Sequence, residues 1–303
     1  MSYSPKTRKR AKSIFKQIES CFANSEFDSA IELIYKLQED YLSHFDSWYL
    51  GSWLGICHFA NGNYSEAITA LEESRNKIDQ AKVIKYGINY LQVLEYLGCC
   101  YFKIENYITA IKRYDEAEKY IPYCEKGGFF DQLCYFRIGK ARVYLWLKRY
   151  KEALHQYELA WKTLPDDGSD KESEAVLNYE IGKTYYYQEE QEKASKQLSA
   201  VMEKNLPDAY LPEFYLLMTK NLNKTENYKR VLDYIEKIEN IGTPEIWAAE
   251  FYNLAGRAHY FLRNFTESER CFLKSNEFPP EHDWISQHNS HFLKLLKTIE
   301  LEN

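Results

Sequence analysis

One pattern runs through almost the whole chain and restricts it to a small set of architectures: a seven-fold internal repeat. The cleanest copy reads Leu97-Gly98, Tyr101, Tyr107, Ala110, Tyr114, Ala117, Pro122, and the next reads Ala141, Tyr144, Tyr150, Ala153, Tyr157, Ala160, Pro165. Looser copies keep the phase. They are Leu54-Gly55, His58, Tyr64, Ala67, Leu71; Ile181-Gly182, Tyr185, Ala194, Leu198; and Gly256, His259, Phe265, Ser268, Phe272, Pro280. The weakest are Ile18, Cys21, Phe27, Ala30, Ile34 and Thr219, Leu222, Tyr228, Val231, Ile235. The small-residue markers fall at positions 18, 55, 98, 141, 182, 219 and 256, at intervals of 37, 43, 43, 41, 37 and 37. Residues three and four apart share a helical face, so each copy reads as a pair of amphipathic helices. The small residue lets two helix backbones approach, and the large one fills the space beside it. A single hairpin cannot bury its own face, so each copy must stack on the next.

That spacing resembles the tetratricopeptide repeat, a helix–turn–helix unit with the pattern W-x2-L-G-x2-Y…A-x3-F…P. The resemblance covers about residues 11 to 280. It implies an all-α fold, a right-handed α-solenoid of about seven such repeats starting near 11, 48, 91, 134, 175, 212 and 249. Residues 1–10 would form a basic N-terminal arm and residues 281–303 a C-terminal capping helix. Every interval exceeds the family's usual length of about 34. With no Gly/Pro/Ser-rich linker, the excess must lengthen helices or inter-repeat turns. In the final segment, Phe292, Leu293, Leu295, Leu296 and Ile299 make an apolar stripe able to seal the last repeat.

Composition agrees with this. The 303 residues are 45% hydrophobic and 16% aromatic, with 27 Tyr, yet the mean hydropathy is −0.58. Tyr supplies apolar area while leaving its hydroxyl at a wet edge. Asp166-Asp167-Gly168-Ser169-Asp170 reads as a surface turn between the fourth and fifth repeats, not a domain boundary. It lacks the ligand spacing and closing Glu of a calcium loop. The seven Cys are odd in number and include no CxxC, and Cys99-Cys100 is a vicinal pair inside a predicted helix. They suit a reduced, intracellular chain, and we expect a cytoplasmic location.

Other function classes lose support in turn. No run of 18 or more apolar residues is present, so no membrane span is expected. The start, Lys6-Thr7-Arg8-Lys9-Arg10-Ala11-Lys12, lacks the apolar core of a signal peptide. There is no glycine-rich phosphate loop, no H-E-x-x-H and no G-x-S-x-G. His58 and His259 stand where the repeat carries Tyr, so packing accounts for them. His288 and His291, near Glu281, His282 and Asp283, read as the polar surface of the cap, not a metal site. We therefore expect no enzyme activity, no cofactor and no metal.

In the family, the first helix of each repeat lines a groove, and the residue after the small marker looks into it. Here that place is held by Glu19, Ile56, Cys99, Arg142, Lys183, Lys220 and Arg257. Four consecutive cations in a chain of net charge −6 point to an acidic partner, because charge of one sign in a concavity steers association. Tyr135, Trp146, Tyr179 and Tyr186 are expected to flank this ladder and grip apolar side chains. Tyr49, Trp53 and Tyr96 are expected to make the N-terminal half of the groove aromatic and nearly uncharged. The family thus implies a scaffold or adaptor binding a protein or peptide segment. Its chaperone-tail clamp of Lys, Asn and Arg fits poorly, since Asn is missing from the matching places in the middle repeats. The lengthened, Tyr-rich repeats are also similar to bacterial cytosolic receptors for signalling peptides, although no output domain would fit before residue 11. RNA-end binding is a lower alternative, because basic residues outside the ladder are interspersed with acids. Oligomeric state is not readable from the pattern.

Overall fold

A computed structural model describes residues 5–41, 47–78, 87–122, 130–242, 245–280 and 282–302. The chain divides into two compact units, Met1–Leu164 and Pro165–Asn303. Among the described residues, the first holds four helix pairs: α1 (Pro5–Ala23) with α2 (Phe27–Tyr41), α3 (Ser47–Ala60) with α4 (Tyr64–Lys77), α5 (Gly87–Lys103) with α6 (Tyr107–Glu118), and α7 (Phe130–Trp146) with α8 (Tyr150–Trp161). The second holds three pairs and a final helix: α9 (Lys171–Tyr187) with α10 (Gln191–Ser199), α11 (Leu211–Lys224) with α12 (Tyr228–Ile241), α13 (Glu245–Phe261) with α14 (Phe265–Ser275), and α15 (Asp283–Glu302). No strand occurs among the described residues. Within each unit, every second helix packs on the first helix of the next pair, and successive first helices touch, as in α3–α5, α5–α7, α9–α11, α11–α13 and α13–α15.

Each hairpin closes by the same turn. Ser25, Gly62, Glu105, Lys148, Glu189, Glu226 and Arg263 all take positive φ, between 55° and 77°. Each lies seven residues after its marker position, which is small in most pairs but Ile18 in the first. The amide that follows donates to the carbonyl five residues back, as in Asn63 to His58, Asn106 to Tyr101 and Asn264 to His259, at 2.8–2.9 Å. This is the Schellman termination of a helix, used here to start its partner. An aromatic residue opens the second helix in six of the seven pairs, among them Tyr64, Tyr107, Tyr150 and Phe265.

The small marker does what its spacing predicts. A Cβ on Gly98 would stand 2.6 Å from the Tyr114 ring, and one on Gly55, Gly182 or Gly256 would meet Leu71, Leu198 or Phe272 at 2.4–2.8 Å. The large residue is always sixteen positions after the marker. Tyr114 also reaches the next pair, where a Cβ on Gly139 would stand 2.6 Å from its hydroxyl. Ala110, Ala153 and Ala194 are fully buried one turn earlier.

Three boundaries differ from the sequence reading. α1 starts at Pro5, so most of the basic segment is helix rather than arm; Pro at the first helical position and a run of Lys and Arg both favour that. First helices begin one to six residues ahead of the expected repeat starts. The division between units falls between Leu164 and Pro165, just before the Asp166–Asp170 loop, whose Asp170 accepts from the Ser173 amide at 3.0 Å and caps α9. Part of the excess repeat length appears as two short 3-10 turns between α10 and α11, Glu203–Asn205 and Asp208–Tyr210. The segments between α4 and α5 and between α6 and α7 also absorb it, largely at positions 79–86 and 123–129, outside the described residues.

Polar links tie pairs together. In the first unit, Arg75 of α4 pairs with Glu116 of α6 at 3.0 Å and Arg113 of α6 with Glu72 of α4 at 2.7 Å. The Tyr90 and Tyr101 hydroxyls donate to the same two carboxylates. Lys140 of α7 is buried and answers Glu118 and Asp115 of α6 at 2.6 and 2.9 Å. In the second unit, Asn289 of α15 is buried, accepts from Asn253 at 2.8 Å and donates to Ser275 at 2.9 Å. Phe292 of the same helix stacks on Phe272 at 5.1 Å.

Candidate functional site

The repeat places one residue per pair just after the small marker and another four residues later, one turn along the same face. In α7 these are Arg142 and Trp146, in α9 Lys183 and Tyr187, in α11 Lys220 and Lys224, and in α13 Arg257 and Phe261. Trp146, Tyr187 and Phe261 are 63%, 51% and 47% exposed. Three of four first helices thus carry a cation followed one turn on by an exposed aromatic ring. Tyr187 and Phe261 escaped the sequence reading, although the same register that singled out the cations would have found them.

In the first unit, Tyr135 is 41% exposed on the same face of α7 as half-buried Arg142 and Trp146. The Trp146 ring lies 6.2 Å from that of Phe102. The other aromatic candidates are engaged by neighbours. Tyr49 packs on Phe15 at 5.6 Å, Trp53 meets Phe15 and Phe22 edge-on, and Tyr96 lies 5.2 Å from Phe59. Nor is this region simply apolar. Glu95, half-buried on α5, makes no ion pair or hydrogen bond among the described residues, and burial pushes its carboxyl up to about 8. One turn on, the Cys99 sulfur lies 3.4 Å from the Tyr114 hydroxyl, and burial pushes the thiol up to about 11. The six described cysteines are free thiols.

In the second unit the cations prove unequal. Lys183 pairs with Glu213 of α11; burial lowers its pKa, but Glu180 and Glu213 more than offset that and hold it above its ordinary value. Lys220 pairs with Glu250 of α13 at 2.6 Å. Both partners lie thirty residues after the cation, so each repeat neutralises the one before it. At the same spacing from Arg257 stands Gln287. Arg257 makes no ion pair among the described residues, its Nε is buried without an acceptor, and burial lowers its pKa. A uniform cationic ladder is therefore not what the second unit presents.

Tyr179 is corrected outright: it is fully buried, edge-on to Tyr210 and Phe214 at 5.8 and 6.1 Å, and belongs to the core. Its place three residues before the small marker lies against the neighbouring pair. Tyr186 is half-buried beneath the Lys224 ammonium, 4.4 Å from its ring centre, and burial with Glu250 nearby pushes its hydroxyl up to about 12. His58 and His259 take the half-buried Tyr place, each with a buried Nδ1 lacking a partner among the described residues. No group of His, Cys, Asp and Glu among the described residues is arranged to hold a metal ion, and no described helix is long and apolar enough to cross a membrane.

No protein-family model and no characterised protein sequence matches the chain. Solved structures match along most of its length. A tetratricopeptide repeat protein from Parabacteroides merdae shares 13% identity over 95% of this chain and 99% of its own, with a TM-score of 0.57. The apo form of RapI shares 12% over 88% and 97%, with a TM-score of 0.63. The C-terminal part of a TPR repeat-containing protein from Cytophaga hutchinsonii shares 18% over 90% and 98%, with a TM-score of 0.53. The chain has the tetratricopeptide-repeat fold.

Proposed function

We propose that this tetratricopeptide-repeat chain is a protein-interaction scaffold, and that its first helices bind segments of partner proteins carrying carboxylates beside large apolar side chains. One observation carries the reading: the cation followed one turn on by an exposed aromatic ring, repeated in α7, α9 and α13. Exposed Trp and Tyr rings with Arg beside them are the side chains that anchor protein interfaces, since they offer large rigid area and directed charge. Chemistry of another kind has little to work with. The thiols whose pKa shifts are resolved are pushed up by burial, and the half-buried histidines fill the repeat's Tyr place.

A receptor for a free signalling peptide is a special case of this reading. RNA is the competing class, and a net charge of −6 with two of three second-unit row cations already neutralised works against it. The test is affinity capture from source cells with wild type and an Arg142→Glu/Trp146→Ala variant, read by mass spectrometry. Truncating an anchoring Trp costs about 2 kcal/mol or more, near thirtyfold in affinity, so the variant should lose partners that wild type retains. An identical partner list would remove α7 from the interface.

A further inference from the structure

We infer that Arg257 and Phe261 form an anchoring site for a carboxylate–aromatic pair on the partner, an Asp or Glu side chain with an aromatic residue next to it. This rests on the scaffold reading and narrows it to one site and one ligand chemistry. The row of cations supplies its own control. Lys183 and Lys220 are each met by a carboxylate from the following repeat, Glu213 and Glu250. Arg257 occupies the same place in α13, but the residue thirty positions on is the uncharged Gln287.

Nothing else answers the guanidinium among the described residues. Glu250, two turns earlier on α13, is engaged by Lys220 at 2.6 Å. From α15, His288 lies near the group; burial first, then Arg257 and His291, lower its imidazole pKa and so disfavour its charged form. From the start of α12, Tyr228 only partly offsets the desolvation of Arg257. Arg257 is half-buried with its Nε enclosed and without an acceptor, so a carboxylate reaching the guanidinium would restore in a single contact what burial removed.

The aromatic half of the site is equally defined. Phe261 is one turn beyond Arg257, and its ring stacks on Tyr228 at 4.7 Å with the planes 15° apart. That contact covers one face of the ring and, with Tyr260 and Phe292 edge-on to it at 5.5 and 6.2 Å, holds the exposed remainder as a rigid apolar wall. A partner residue adjacent to the bound carboxylate would lie against it.

The probes are N-acetyl-Glu-Phe-amide and its Gln counterpart, added to the full chain while the Arg257 Nε–Hε resonance is followed by NMR. The Glu dipeptide should shift that resonance saturably, and the Gln dipeptide should bind at least about tenfold more weakly. In Arg257→Gln, with helical content and melting checked by circular dichroism, the two dipeptides should become indistinguishable. Equal affinity for both in wild type, or no saturable shift, would overturn the site. So would a uridine hexanucleotide that displaces the Glu dipeptide, by assigning the cation to phosphate. If the dipeptides fail while Arg142→Glu/Trp146→Ala still loses captured partners, the scaffold reading stands without this site.

Discussion

At the scale of single residues, the hairpin turns show most clearly where sequence and structure part. Seven turns adopt one geometry, yet Gly serves only one of them, Gly62. Ser25, Glu105, Lys148, Glu189, Glu226 and Arg263 accept the left-handed conformation with a Cβ, at about 1 kcal/mol each. Replacing Lys148 with Gly should therefore stabilise the chain by about 0.5–1 kcal/mol, and Gly62→Ala should destabilise it by about 1 kcal/mol. A Cβ at Gly62 meets no atom within 4 Å, so the second effect is purely conformational. Urea unfolding of the two variants checks both signs; equal shifts in the same direction would contradict this account of the turn. Apart from Gly62, the turns were invisible as turns in the sequence because an exposed Ser, Glu, Lys or Arg carries no backbone signal. The markers seven residues earlier were legible because Gly98 or Gly256 sits where any Cβ would meet an aromatic ring.

At the scale of elements, apolar periodicity was legible and polar pairing was not. The stripe on α15 foretold a cap, and Phe292 does pack on the last pair, while Leu296 is buried. The links among Asn253, Asn289 and Ser275 escaped, since residues 36 and 14 positions apart share no period with any helix. The same limit hid the carboxylates opposite Lys183 and Lys220, thirty residues distant, and made the ladder look uniform. Tyr179 was misplaced for a related reason. One helical face meets both its own pair and the next, and only the packing tells which side a Tyr takes. For the cap the consequence is specific. Asn289→Ala would leave Asn253 and Ser275 buried with lost partners, costing about 1–3 kcal/mol. Hydrogen exchange should show that loss as faster opening of α15, with α1 to α8 unchanged; uniform acceleration through the chain would count against a local role.

At the scale of the whole molecule, repetition explains why the fold could be read from sequence when no family model matches it. Seven copies of a marker, a turn and a large residue average out the weakness of each. The proposed site at Arg257 is harder to read, because it rests on a departure from the repeat: a row cation with no ion pair among the described residues, beside the exposed ring of Phe261. The two units, each with its own stacked pairs, give two independent places to look. The most direct test of the scaffold account is hydrogen exchange on the full chain, alone and with a captured partner, read peptide by peptide. Slower exchange in first helices, α7 in the first unit or α13 in the second, is the predicted result. Protection confined to second helices such as α4, α6 and α12 would contradict it and move the interface to the opposite set of faces.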